Sequence, residues 1–282
     1  MANWYDKYLL IYGKPFNEVP QEIIDGTRER LAAMQSDRPL ASIVVIAYNE
    51  EYHLQACLWA LSEIRCKYPV EIIGVDNDSN DCTAEIFEKS GIPFFTEYQH
   101  SCGYARRCGL WHSKGKFFFD VDSDTIYPPQ YYELMIEQLL KPGVVAVSAT
   151  WSYFPDSNHS KLGLRMFELC RDLFLWIQHF KRPELSVRGL VFAYNADFGR
   201  KEEYRVDIIR GEDGSMALSL KKYGKIKFVR DSRCRAITGY GTIGNQSLLQ
   251  SFVQHVKIQA KGISRIFYKK DHYEDSDDNL VK

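Results

Sequence analysis

Asp122-Ser123-Asp124 sets two carboxylates two residues apart at the end of the apolar run 116–121 (KFFFDV). In an extended segment, residues two apart point the same way, so Asp122 and Asp124 can face one ligand. Two further apolar runs finish on acid and amide residues. Residues 42–48 lead into Tyr48-Asn49-Glu50, and 70–75 lead into Asp76-Asn77-Asp78-Ser79-Asn80-Asp81. Carboxylates gathered in this way repel phosphates unless a divalent cation sits between them, so the residue types point to a metal-bridged phosphate ligand. The plain alternative is a set of solvated acidic turns. Asp120 lies two residues before Asp122 on the same strand face, where a buried carboxylate is costly unless paired, for instance with a nearby arginine. No GxGxxG and no GxxxxGK[ST] follows any of these runs, which leaves dinucleotide and P-loop binding without support.

The elements that must position these residues alternate in type. Strand-like runs at 42–48, 70–75, 94–96, 116–121 and 144–150 are separated by helix-like stretches at 51–64, 82–89 and 104–112. A fourth helix is opened by Pro128 and Pro129, as proline does at a first turn, and runs to Leu140. Continuous apolar runs mark strands buried on both faces, and strict β-α alternation implies an α/β fold with a mainly parallel sheet and helices on both sides. Ligands of such sheets bind beyond the carboxyl ends of the strands, where the acidic segments fall. Residues 1–40 read as an N-terminal helical extension, with Val19, Ile23, Ile24, Leu31 and Met34 on one stripe, and residues 236–282 as a C-terminal one.

Composition narrows the classes. Of 282 residues, 45% are hydrophobic and 26% charged, which excludes wholesale disorder. The formal charge of −1 gives no support to a nucleic-acid binder held by bulk charge. The seven cysteines are odd in number and form no CxxC pair, which implies a reduced compartment. The start MANWYDKYLL has no signal-peptide pattern, and no run of about 18 apolar residues spans a membrane. The expected location is cytoplasmic, with the inner face of the membrane as a variant of it.

In order along the chain, these segments resemble the inverting family 2 glycosyltransferases with the GT-A fold. Ala47-Tyr48-Asn49-Glu50 matches the end of the family's first strand. Val75-Asp76-Asn77-Asp78-Ser79-Asn80-Asp81-Cys82-Thr83 matches the second, with Asp78 where glycine is usual. Ala105-Arg106-Arg107-Cys108-Gly109 with Gly115 resembles the A-R-N-x-G segment, and the register from Gly115 puts the D-x-D on Asp122-Ser123-Asp124 rather than on Asp120-Val121-Asp122. Arg210-Gly211-Glu212-Asp213 resembles the E-D motif. Together these cover about residues 41–230.

The resemblance implies a fold, an activity and a site. It divides the chain into a nucleotide-sugar (donor) half at 41–150 and an acceptor-side half with the catalytic base at 151–235. The implied reaction moves one sugar from a nucleotide-diphospho-sugar to an acceptor hydroxyl with inversion, in cell-surface glycan assembly. Mg²⁺ or Mn²⁺ on Asp122 and Asp124 bridges the diphosphate and neutralises the leaving group. Ala47, Tyr48, Glu50 and Asn77 line the base pocket, with Arg106 and Ser123 also on the donor. Asp213 is the implied general base, with Glu212 beside it on the acceptor side, and the dipole of the helix they open favours an ionised carboxylate there. From position alone, Glu212-Asp213 merely begins a helix with favourable charge. No Q-x-x-R-W follows, which favours single-sugar addition over processive synthesis. His255 is a late histidine that either approaches the metal or serves structure.

Residues 161–180 (KLGLRMFELCRDLFLWIQHF) carry Leu162, Met166, Leu169, Leu173, Trp176 and Phe180 at helical spacing. One reading buries this stripe on the sheet. The other makes it an acceptor-side surface, including Trp176, for a saccharide on a lipid carrier or for a peripheral membrane contact, with Lys161, Arg165, Arg171, Lys181 and Arg182 nearby. The tail at 271–278 (DHYEDSDD) reads as a solvated end. Two other functions compete. A haloacid-dehalogenase-type phosphatase also places D-x-D after an apolar strand, here FFFDVD, although its nucleophile usually follows the first strand. A non-catalytic nucleotide-sugar-binding protein shares every donor feature.

Overall fold

A computed structural model of the chain describes residues 3–155 and 161–239. The N-terminal part makes two short 3₁₀ turns and then the helix α1 (Gln21–Met34). The alternation then runs β1 (Ala41–Ala47), α2 (Leu54–Leu61), β2 (Val70–Asp76), α3 (Thr83–Ser90), β3 (Phe94–Thr96), α4 (Cys102–His112), β4 (Phe117–Asp122), β5 (Thr125–Ile126), α5 (Tyr131–Leu139) and β6 (Val144–Ala149). After β7 (Trp151–Tyr153) come α6 (Lys161–Lys181), β8 (Phe192–Asn195), α7 (Ala196–Glu202), α8 (Glu212–Leu220), β9 (Lys225–Val229) and β10 (Ala236–Thr238).

Seven strands form one sheet in the order β3-β2-β1-β4-β8-β6-β9, and β5-β10-β7 form a small second one. The large sheet is parallel except at β8, which runs antiparallel to both β4 and β6. Successive β1 residues feed two different cores, as the strand period of two requires. Ile43 and Val45 join the cluster that includes Leu31, Leu58 and Ile136, while Val44 and Ile46 join the one that includes Leu110, Met216 and Leu220. Helices therefore cover both faces, as expected from the continuous apolar runs.

Residues 1–40 contain the expected helix, and it packs on the core: Tyr8, Phe16, Ile24 and Leu31 are buried, and the Gln35 side chain bonds both the N–H and the carbonyl of Ile72. The first residues of the expected C-terminal helical extension form a strand, because β10 is needed to join β5 to β7. Of the two readings of the 161–180 stripe, burial on the sheet does not hold: in α6 Leu162, Met166, Leu169, Leu173, Trp176 and Phe180 are exposed, and Leu164, Phe167 and Leu175 pack inward instead. His255 and the acidic tail lie outside the described residues.

Candidate active site

Arg106 sits one turn into α4, whose first turn is capped by Ser101 accepting from the Tyr104 N–H. The helix can lie low on the sheet because position 109 is glycine, since a Cβ there would collide with Val44 of β1. This close approach brings the Arg106 side chain, only 4% exposed, to the ends of the strands. Its Nη1 is 3.0 Å from Asp120 Oδ1 and its Nη2 3.1 Å from Asp122 Oδ1, both on β4. From the other side its Nε lies 3.2 Å from Asp213 Oδ1 and 3.6 Å from Glu212 Oε1, at the start of α8. Gly211, with φ +94°, makes the left-handed turn into that helix. Gly189 lets the guanidinium and Asp213 meet, because a Cβ there would strike both.

One guanidinium thus faces four carboxylates. Burial works against its charge, and Asp213, Asp120 and Asp122 together outweigh that and hold it protonated. Burial raises the Asp120 carboxyl to about 6 against the opposing pull of Arg106 and a 2.6 Å hydrogen bond donated by the buried Tyr204 hydroxyl. Burial also pushes Asp213 well above the usual carboxylate range, and Glu212, Asp120 and Asp122 push the same way while Arg106 resists. The direction at Asp213 corrects the expectation drawn from the helix dipole: desolvation outweighs it. Asp120 is accounted for too, as a buried carboxylate paired with an arginine.

The other half of the site gathers around Asp124. Ser123 and Asp124 form a turn between β4 and β5, so the extended geometry expected of the D-x-D does not hold, because the chain must reverse there to enter the small sheet. Asp122 and Asp124 still share one locality. Asp124 is raised to about 6 by burial, then by the charges of Asp122 and Glu50. Its Oδ1 accepts from Thr125 and, at 3.2 Å, from Thr238 of β10, and its backbone carbonyl accepts from the Tyr12 hydroxyl. Glu50 holds His53 at 2.8 Å. Ser123 is buried.

Among the described residues no group of three or more His, Cys, Asp and Glu is arranged to hold a metal ion alone. The donor set suits a divalent cation that takes one or two carboxylates and completes its shell with phosphate oxygens and water. The upward push on Asp124 from Asp122 and Glu50 is the repulsion such a cation relieves.

Beyond β1 and β2, Ala47 is buried and its carbonyl accepts from the Asn77 N–H, while the Tyr48 ring is 51% exposed. The Asn77 amide donates to the carbonyls of Glu97 and Gln99, at 2.8 Å each, so its donors are spent on holding the 97–99 loop. Tyr48 packs edge-on to His100, which lies 3.4 Å from Asp78. Asp78 has φ +59°, the left-handed conformation that explains a usual glycine at this position, and aspartate is one of the few other residues to tolerate it. Trp176 is remote in its contacts, which are with Phe180 and with the Arg230 guanidinium 5.1 Å from its ring.

Tyr12, Gly189, Tyr204 and Thr238 enter the site from distant parts of the chain. No motif marked them. A tyrosine beside a helix end or a threonine in a short strand carries no local signal of a partner some eighty or more residues away, as between Tyr204 and Asp120.

Glycosyl transferase family 2 matches residues 42–204, more than half of the chain. Glycosyltransferase AglE of Haloferax volcanii is 30% identical over 118 residues, 39% of each chain. The UDP-Glc:alpha-D-GlcNAc-diphosphoundecaprenol beta-1,3-glucosyltransferase WfgD of Escherichia coli is 30% identical over 113 residues, 38% of this chain and 44% of that one. The matches thus span less than half the length of these relatives. Among solved structures, the mannosyltransferase PcManGT from Pyrobaculum calidifontis, in complex with GDP-Man and Mn²⁺, superposes with a TM-score of 0.58 at 18% identity, over 92% of this chain and 76% of that one. The fold is therefore GT-A, and with the family match running from β1 to Tyr204 the chain belongs to glycosyl transferase family 2.

Proposed function

We propose that the protein is an inverting glycosyltransferase that moves one sugar from a nucleotide-diphospho-sugar to an acceptor hydroxyl. The observation that carries this reading is the Arg106 bridge, which ties the D-x-D aspartate Asp122 to the E-D aspartate Asp213 through one side chain. Donor and acceptor chemistry are thereby held side by side. Tyr48 offers an exposed face for the base, with Glu50, Asn77 and the buried Ala47 beside it at the ends of β1 and β2. Asp122 and Asp124 would hold Mg²⁺ or Mn²⁺, which would supply positive charge to offset that of a departing diphosphate. Asp213 accepts the proton of the attacking hydroxyl. Its burial raises its proton affinity, the direction that strengthens a base. Arg106 neutralises part of the charge around the Asp213 carboxyl, and Glu212 borders the acceptor. A phosphatase would need Asp120 as nucleophile, and that side chain is 1% exposed beneath Arg106.

The acceptor belongs to the saccharides or lipid-linked saccharides of cell-surface glycan assembly. WfgD, named for a diphosphoundecaprenol-linked acceptor, supports the lipid-linked form, and Trp176 is the proposed acceptor-side aromatic. The proposed location is cytoplasmic. No helix among the described residues is long and apolar enough to cross a membrane. Asp213→Asn tests the reading: donor affinity should stay near that of the wild type in calorimetry while transfer falls by about 10²–10⁴-fold. Near-normal turnover would remove Asp213 from the chemistry. Donor affinity unchanged by EDTA would remove the metal.

A further inference from the structure

The helix α6 has an apolar face on each side. Leu164, Phe167 and Leu175 pack inward. On the opposite side Leu162, Met166, Leu169, Leu173, Trp176 and Phe180 form a stripe roughly 100° wide, the width by which a core-facing helix ordinarily buries itself. Here it faces outward, with Leu162 73%, Leu169 64% and Phe180 68% exposed. A contiguous apolar patch of this kind on a soluble surface marks an interaction site.

The charges on the helix are sorted in the same sense. Both acidic residues are buried and neutralised: Glu168 accepts from the Ser152 hydroxyl and the Tyr153 N–H, and Asp172 is held by Arg171 and Arg235. The exposed charges are Lys161, Arg165 and Lys181, all cationic, and the exposed Arg230 lies over the Trp176 ring at the stripe's edge. This rim decides between occupants. A second copy docked face to face would set cationic rim against cationic rim. Residues 241–270 of this chain carry Lys257, Lys261, Arg265, Lys269 and Lys270 and no Asp or Glu, so they share the sign of the rim. The acidic residues 271–278 (DHYEDSDD) have the opposite sign, but Tyr273 is their one large apolar side chain, too little to cover the stripe. An anionic lipid surface complements it, and an amphipathic helix with Leu, Trp and Phe on one face and cations beside them is the pattern of an element lying in the headgroup–acyl boundary.

We propose that the outer face of α6 docks the protein on an anionic lipid bilayer, with the stripe in the boundary region and Lys161, Arg165 and Arg230 against lipid phosphates. The contact is peripheral and distinct from the carboxylate site, so it stands or falls separately from sugar transfer.

The test uses the full chain and sedimenting vesicles. Vesicles of mixed phosphatidylglycerol and phosphatidylethanolamine should pull the protein down, vesicles of phosphatidylcholine alone should do so far less, and added salt should release it. Leu169→Glu combined with Leu173→Glu should lower the partition coefficient at least tenfold, and Arg165→Glu by about fivefold, on the scale of one basic residue at an anionic surface. Nucleotide binding to each variant, read by calorimetry, reports that the fold and the donor site are intact. Failure of the wild type to sediment with anionic vesicles overturns the proposal, as does undiminished binding by the double variant. A dimer in light scattering that the double variant makes monomeric, with no vesicle binding by the wild type, assigns the face to a second copy instead.

Discussion

The carboxylate cluster around Arg106 and the outer face of α6 depart from the usual partition of polar and apolar groups in opposite directions. In the first, charge is taken inside. Each buried carboxylate there faces a counter-charge: Asp120 has Arg106 at 3.0 Å and accepts from Tyr204, and Asp213 has Arg106 at 3.2 Å. Arg106 Nε and Nη1 make these contacts through charge and not through hydrogen-bond geometry. In the second, large apolar side chains are left outside. The difference shows how each departure is tolerated. Desolvated charge survives only where its counter-charge is fixed by the same fold, whereas exposed apolar surface costs the folded state little and calls for a partner beyond the described residues. Buried ion pairs add little net stability, yet removing one member is severe.

The comparison can be broken from the charged side first. Arg106→Ala strands Asp120 and Asp213 without a cation, and unfolding by denaturant should show a loss of about 3–5 kcal/mol against a total of about 5–15. A loss below about 1 kcal/mol would mean that water reaches the cluster. On α6 the two apolar faces should respond unequally. Leu175→Ala, on the inner face, should cost about 2–5 kcal/mol, while Leu173→Ala, a half-turn away in direction, should stay within about 0.5 kcal/mol. Equal losses would show that the outer face is covered. Tyr204→Phe keeps the ring and deletes only the donor to Asp120, so about 1–3 kcal/mol is expected from one unsatisfied buried acceptor.

The smallest effect concerns His179 of α6, 3.0 Å from the Ser186 hydroxyl. Burial lowers its pKa from 6.5, with Glu184 opposing. The folded state therefore prefers the neutral ring. This contribution to stability is fully present above pH 6.5 and is lost as pH falls through the lower folded value. His179→Gln should flatten the melting temperature's dependence on pH just below 6.5, and an unchanged profile would place the acid sensitivity elsewhere.

The legible parts of the molecule were those where chemistry and backbone requirement coincide within a few residues. β1, β2 and β4 are continuous apolar runs that pair in parallel, which sets the acidic segments at their ends along one edge of the sheet. Position 78 illustrates the point: the departure from glycine is absorbed because aspartate takes the left-handed conformation. What local pattern could not supply was direction. In α6 both faces are apolar, and the less regular one, interrupted by Glu168 and Asp172, packs inward because Arg171 and Arg235 wait there for those carboxylates. The antiparallel β8 and the partners Tyr12, Tyr204 and Thr238 depend on pairings between distant segments. A turn at Asp124 replaced the extended D-x-D for a similar reason, since β5 must pair with β10.

The loops after β1 and β2 are laced to each other. The Asn49 N–H donates to the Ser79 hydroxyl, the Asn80 N–H donates to the Asn49 side chain, the Glu50 N–H donates to the Thr83 hydroxyl, and the Glu51 N–H donates to Asp81. Each loop supplies the restraint that the other lacks. The two crests therefore act as a single preformed jaw, and the conformational entropy of ordering them is lost during folding rather than on ligand capture. If the base binds between Tyr48 and Asn77 as proposed, it meets a template already set, so that selectivity there is a matter of shape with little room for adaptation.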